Sequence, residues 1–278
     1  MSTARLAPRT ALFLPASNPR AIEKARGLGA DMVILDLEDA VRDDAKASAR
    51  AAAVAAVGEG FGHRLSAIRL NATDSAEHEA DLAAVAGSAC DFAVLPKVET
   101  EADAARVAAA LGKPLLAMIE TPRGVLAAAA IAAAPGVAGL IAGANDLRAT
   151  LGIPAGAGRE GLALALQAIV LAARAAGGWA IDGVFNALDD SAGLAAECRH
   201  GRALGFDGKS LIHPNQIAVA AEAFGPTSDE LAEARALIDA ARGGAERFRD
   251  RMIEAMHVAQ ARALIERADR GGRLCLPS

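Results

Sequence analysis

At seven places along the 278-residue chain, ionisable or amide side chains stand at or near the end of a short apolar run. They are Asp36-Leu37-Glu38-Asp39, Arg69-Leu70-Asn71, Lys97, Glu120-Thr121, Asn145-Asp146, Asp182 and Lys209. Any one of them could solvate a loop or pair with a neighbour. As a set they put charge repeatedly beside buried apolar surface, which is costly unless the charges meet one another, a metal or a ligand. Glu120 and Asp146 follow consecutive runs, and adjacent strands lie about 4.8 Å apart. Two carboxylates that close repel unless a proton or a cation lies between them. With oxygen ligands and no His or Cys nearby, the expected cation is Mg2+, with Mn2+ as the alternative. Arg69 cannot lose its charge, and its planar fork suits a carboxylate. A divalent ion beside an arginine fits a small oxyacid on which enolate charge develops.

Eight apolar runs carry these residues, at 11–15, 32–37, 65–70, 92–96, 115–119, 139–142, 180–185 and 208–212. Each leads into a longer alanine-rich stretch compatible with a helix. Continuous apolar strands alternating with helices form parallel sheets covered on both faces. Eight units predict a closed (β/α)8 TIM barrel, whose sites lie at the C-terminal ends of the strands. The rival, an open doubly wound sheet, carries a Gly-rich phosphate turn after its first strand; here that turn is Pro-Ala-Ser-Asn-Pro-Arg. The run 124–145 bears no charge, and uncharged runs of about 18 residues or more are membrane-span candidates. Pro135-Gly136 splits it, so a helix at 125–134, a turn and a strand at 139–143 are expected instead.

Beyond Phe224-Gly225-Pro226 the pattern changes. Thr227-Ser228-Asp229-Glu230 is a capping sequence, a helix is expected at 231–242, and the charged run Glu-Arg-Phe-Arg-Asp-Arg-Met at 246–252 is expected to be a solvated helix face. The expected organisation is a catalytic barrel at 1–225 and a helical lid or oligomerisation segment at 226–278. Apolar types make up 53% of the chain and the net charge is −5. That composition is globular and has no electrostatic footprint for nucleic acid. Cys90, Cys198 and Cys275 lie far apart without metal-ligand spacing, which fits a reducing cytoplasm. The N-terminal apolar stretch ALFLPA is too short for a signal core. His213 is expected to anchor a loop beside Pro214, and His63, His78, His200 and His257 to lie on the surface.

Ordered segments along almost the whole chain carry a family resemblance: RTALFLPASNP, GADMVILDLEDAV, IRLNATD, VLPKVET, AMIETPRGV, GANDLRATLG, AIDGVF and ARALGFDGKSLIHPNQI. The chain resembles the citrate lyase β-subunit-like and malyl-CoA or citramalyl-CoA lyase-like proteins of the HpcH/HpaI aldolase superfamily. The resemblance implies a Mg2+-dependent carbon–carbon lyase that splits a 3-hydroxyacyl-CoA into an acyl-CoA and an oxoacid. It implies Glu120 and Asp146 as metal ligands, Arg69 on the oxoacid oxygens, and Asp36 and Glu38 in the catalytic set. Arg9, Lys46 and Arg50 become candidates for the coenzyme A phosphates, and Asn71 and Lys97 for substrate binding. Arg69→Ala or Asp146→Ala should then abolish cleavage in a protein that stays folded.

Glu38-Asp39 stands where the metal-dependent 2-oxoacid aldolases of the superfamily carry Glu-His. In the tail, Asp250-Arg251-Met252-Ile253-Glu254-Ala255-Met256 replaces a Gly-Lys-Met-Ile-Asp-x-Pro pattern whose Asp serves a neighbouring subunit. Glu254 would take that acid–base role, its carboxylate about 1 Å further out, enough to matter where positioning is tight. A homotrimer or hexamer is implied. The alternatives are a citrate lyase β subunit working on a citryl–carrier-protein thioester, a 2-oxoacid aldolase, and a non-catalytic CoA-binding homologue.

Overall fold

The computed structural model describes residues 6–154 and 156–274; Cys275 lies outside them. Eight parallel strands form a closed barrel in sequence order: β1 (Thr10–Pro15), β2 (Met32–Asp36), β3 (Leu65–Arg69), β4 (Phe92–Leu95), β5 (Leu115–Ile119), β6 (Val137–Ala142), β7 (Trp179–Asp182) and β8 (Gly208–Leu211). Closure is made by β8 pairing with β1, Thr10 opposite Lys209 and Leu12 opposite Leu211. Helices α1 (Pro19–Ala25), α2 (Lys46–Glu59), α3 (His78–Ala86), α4 (Glu101–Leu111), α5 (Pro122–Ala133), α6 (Ala144–Thr150), α7 (Ala163–Ala175), α8 (Ser191–Leu204) and α9 (Ile217–Phe224) complete the units. Among the described residues no helix is long and apolar enough to cross a membrane.

Local chemistry starts these helices where the sequence places them. The Asn18, Thr100 and Thr121 side chains accept from Ala21, Asp103 and Gly124 N–H, satisfying groups that a helix N-terminus leaves unpaired. The uncharged stretch is α5, a turn at Pro135-Gly136 and β6. Because Thr121 caps it and Pro122 opens it, α5 begins three residues before the expected 125.

Successive residues of a strand face opposite ways. Inside the barrel Ala11, Met32, Ile34, Ala67, Phe92, Val94, Leu116, Met118, Ile141 and Ile181 form one buried cluster, with the Phe92 and Trp179 rings 4.8 Å apart. One pleat beyond Ile34, Ala67 and Met118 on that inward face come Asp36, Arg69 and Glu120. The face that fills the core thus turns ionic at the C-terminal rim.

The opposite parity sends Asp182 and Lys209 outward, so these two members of the strand-end set do not face the barrel interior. Lys209 is fully buried and donates to Asp182 Oδ2 (3.1 Å), Gly183 O (2.6 Å) and Glu197 Oε1 (2.8 Å). Arg159 meets the other Asp182 oxygen. Burial alone would raise Asp182, but Lys209 and Arg159 outweigh it and hold the carboxyl below its ordinary range. Breaking such a buried network costs about 3–5 kcal/mol, because charges are left unpaired. Lys209→Met is expected to lower the unfolding free energy by about that much, read by urea denaturation; a loss under about 1 kcal/mol would contradict this role.

The chain divides into two units, Ala7–Ala221 and a second containing Glu222–Ser278, with the break inside α9. The second holds α10 (Ser228–Ala240), β9 (Glu246–Phe248), β10 (Arg251–Ile253) and α11 (Ala255–Leu274). Thr227 and Glu230 form the capping box of α10, which starts three residues before the expected 231. The charged run at 246–252 is not a helix face: it folds into the antiparallel hairpin β9–β10. Phe248 and Ile253 pack inward against Ala234, Leu237 and Ala261, while Arg249 (φ +55°) and Arg251 ion-pair with Glu233.

Candidate metal and substrate site

At the C-terminal rim a cavity of about 420 Å3 is lined by residues of the loops and strand ends, among them Phe13, Asp36, Arg69, Met118, Glu120 and Asp146. Arg69, 7% exposed, grips Asp36 with two parallel bonds, Nε to Oδ1 (2.7 Å) and Nη2 to Oδ2 (2.6 Å). Its Nη1 lies 2.8 Å from Glu38 Oε2, and the guanidinium stands 5.2 Å from the Phe13 ring centroid. The fork expected to hold a substrate carboxylate is therefore engaged by Asp36, and a ligand meets only the outer edge of the guanidinium. Asp36 also accepts from the N–H groups of Glu38 (2.8 Å) and Ala40 (3.2 Å). Both of its oxygens are thus occupied, by Arg69 and by backbone N–H groups of the 37–40 loop.

Glu38 is buried, ion-paired to Arg69 and to the half-exposed Lys97. Burial raises its carboxyl above the ordinary value against the pull of Arg69 and Lys97. For Lys97, burial acts to lower the ammonium, but the bond to Glu38 and the surrounding carboxylates outweigh it, and the net shift is upward. Lys97 adopts φ +52°, a left-handed conformation uncommon outside glycine. That turn aims its backbone N–H at Glu120 Oε1, 2.6 Å away.

Glu120, 3% exposed, is the strongly perturbed acid of the site: burial first, then the charges of Glu38 and Asp146, push it up to about 7. Asp146 reaches the same rim from the first turn of α6. Among the described residues no group of three or more His, Cys, Asp or Glu side chains is gathered for a metal. Two carboxylates completed by water and substrate are what Mg2+ accepts, and the uncompensated negative charge at Glu120 fits a cation there.

Gly143 is a functional position that the residue-type reading missed. A Cβ there would lie 2.2 Å from Glu120 Cβ and 2.4 Å from Oε2, so only glycine lets the carboxylate occupy its place. Its signal was a glycine directly after the apolar run of β6. Gly143→Ala is expected to weaken Mg2+ affinity about tenfold or more, the usual range for outer-sphere disturbance; calorimetric titration checks this.

Several expected binding residues have other duties. Arg9 precedes β1 at the N-terminal rim, the opposite end from the cavity, where Nε and Nη2 each lie 2.9 Å from an Asp31 oxygen. Lys46 is buried and donates to Leu37 O, Glu38 O and Asn71 Oδ1 at 2.7–2.8 Å. Arg50 is held by Asp81 (2.6 Å) and Glu77. Neither cation of α2 is available to a phosphate, because both neutralise buried acceptors. Asn71 donates both Nδ2 hydrogens, to Leu37 O and Asp81 Oδ2, leaving its amide no free donor for substrate. His78, expected on the surface, is 1% exposed and pairs Nδ1 with Asn71 O. His213 anchors its loop by accepting from Asn215 N–H. Glu254 is exposed in the second unit, between β10 and α11, and its N–H donates to His257 Nδ1 at 2.9 Å.

The model of the HpcH/HpaI aldolase/citrate lyase family matches residues 9–214. The (3S)-malyl-CoA thioesterase of Cereibacter sphaeroides is 42% identical over 270 residues, 94% of each chain. The L-malyl-CoA/β-methylmalyl-CoA lyase of the same organism is 32% identical over 300 residues, again 94% of each. A crystal structure of CitE from Mycobacterium tuberculosis, in complex with magnesium, acetoacetate and coenzyme A, superimposes with a TM-score of 0.83 at 37% identity, covering 95% of this chain and 98% of that one. With its barrel and nearly its full length matched, the chain belongs to the HpcH/HpaI aldolase/citrate lyase family.

Proposed function

We propose that the protein is a Mg2+-dependent lyase that cleaves the carbon–carbon bond of a 3-hydroxyacyl-CoA of the malyl-CoA class, giving an acyl-CoA and an oxoacid. The carrying observation is the pair Glu120 and Asp146, with Glu120 pushed up to about 7, beside a buried permanent cation in a cavity sized for a short acid. The metal and coenzyme A of the mycobacterial structure and the lyase activity named for the 32% identical relative support it. Glu120 and Asp146 hold the ion, which when bound neutralises charge on the acid's oxygens and lowers the barrier to C–C cleavage. Arg69, fixed by Asp36, presents its outer edge to the developing enolate. Glu38 and Lys97 keep that arginine and the Glu120 turn in register. Glu254 of a neighbouring copy returns the proton, in a homotrimer or hexamer.

A second reading is hydrolysis of the thioester, favoured by the thioesterase named at 42% identity. One assay separates the two. Purified protein is mixed with malyl-, methylmalyl-, citramalyl- and 3-hydroxy-3-methylglutaryl-CoA, with Mg2+ or with EDTA. Acyl-CoA plus oxoacid establishes the lyase; free CoA plus hydroxyacid establishes the hydrolase. EDTA-insensitive turnover refutes the metal requirement; no turnover of any ester refutes the CoA-ester reading and leaves the carrier-protein substrate or a non-catalytic homologue.

A further inference from the structure

The floor of the cavity holds a group that the assignments above leave unused. Ser210, in β8, is 1% exposed, lines the cavity, and its Oγ has no hydrogen-bond partner among the described residues. It stands in register with Ala11, a member of the barrel's interior cluster, so its side chain points inward beneath the rim where Glu120 and Asp146 sit. A buried hydroxyl left unpaired is destabilising, and such groups in native proteins call for an explanation. Of the residues that share the cavity lining, Phe13, Val184 and Ile212 are apolar and offer no side-chain acceptor. Rotation about a single χ1 bond turns the hydroxyl toward the cavity, where the missing partner would be a ligand.

Resting on the functional reading above, we propose that Ser210 is a specificity-determining residue, donating its hydroxyl hydrogen to an oxygen of the oxoacid half of the substrate. The ion and Arg69 hold this half from the rim, and Ser210 meets it from the floor. The bulky coenzyme enters from the open side, so the end of the acyl chain furthest from it lies deepest. A site with a buried hydroxyl awaiting an acceptor favours an oxygen-bearing end over a purely alkyl one, since the latter leaves the hydroxyl unpaired.

The test is calorimetric binding of glyoxylate and of pyruvate in saturating Mg2+, and of acetyl-CoA as the counter-probe, to wild type and Ser210→Ala, with melting temperatures of the free proteins. The expected result is about a tenfold weaker Kd for the oxoacids, the scale of one hydrogen bond to a charged group. The acetyl-CoA Kd is expected unchanged and the free protein no less stable, since an unpaired hydroxyl has been removed. Oxoacid affinities within twofold of wild type would overturn the proposal. So would a weakening that accompanies a lower melting temperature and an equal loss for acetyl-CoA, the signature of a structural role. If wild type binds no oxoacid with Mg2+, the functional reading itself falls and Ser210 with it; binding by wild type that survives in Ser210→Ala removes the serine proposal alone.

Discussion

Glu120→Gln is expected to abolish Mg2+-dependent turnover while making the metal-free protein more stable at pH 8. The glutamine keeps an oxygen for the Lys97 N–H but cannot carry the charge that holds the ion. A loss of about three orders of magnitude in turnover is expected, since metal stabilisation of transition-state charge is worth several kcal/mol. The gain in stability follows from the same charge. In the folded protein burial, Glu38 and Asp146 push the carboxyl up to about 7, whereas in the unfolded chain it titrates near ~4.3. As pH rises from the lower value to the higher, the unfolded chain releases its proton first, and the folded state loses stability across that window. Above about 7 the full cost stays, on the order of 3 kcal/mol by the shift, and glutamine removes it. Below about pH 4 the variant and wild type should not differ in this term. Saturating Mg2+ should reverse the order at pH 8, because only the wild type binds it. The checks are melting curves at pH 4 and 8, with and without Mg2+, beside turnover. Retained metal-dependent activity in Glu120→Gln would sink the assignment.

Arg69→Ala is expected to lose both activity and stability, so the simple expectation of an inactive but intact variant needs revision. The guanidinium neutralises two buried carboxylates, Asp36 at 2.6 Å and Glu38 at 2.8 Å. Removing it leaves Asp36 without a cation and Glu38 with Lys97 alone, at a cost of about 3–5 kcal/mol, a large share of the roughly 5–15 kcal/mol typical of a folded protein. The two losses can be separated. Arg69→Ala with Asp36→Asn removes one orphaned charge and should recover about half of the stability, while activity stays absent because no cation faces the acid. Arg69→Lys keeps a charge but not the planar two-bond contact with Asp36, and should fall between. Urea unfolding and turnover of the three proteins test this. A double variant that regained activity would show that Arg69 serves only to balance Asp36.

The barrel and its rim were legible in the amino-acid order because they rest on local rules. Apolar runs with helical stretches between them specify strands and their connections, and β5 falls on the expected 115–119 without adjustment. Parity along a strand carries the next step, since Asp36, Arg69 and Glu120 fall two residues beyond core positions. The 246–253 hairpin was missed because its two buried anchors, Phe248 and Ile253, are outnumbered by arginines, which suit a helix surface equally well. What each charged side chain does was decided by tertiary structure alone. Lys46 and Arg50 are cations at the start of a helix, a natural phosphate site by type, yet the fold sets Leu37 O, Glu38 O and Asn71 before one and Asp81 and Glu77 before the other. Arg9 precedes its apolar run and Arg69 ends a strand, so chain order already sets them at opposite rims, but that Arg9 is held by Asp31 is decided by the fold. Residue type and spacing therefore determined the barrel and the chemistry it can hold. The availability of each charge depends on partners tens of residues away, and only closure of the barrel brings those together.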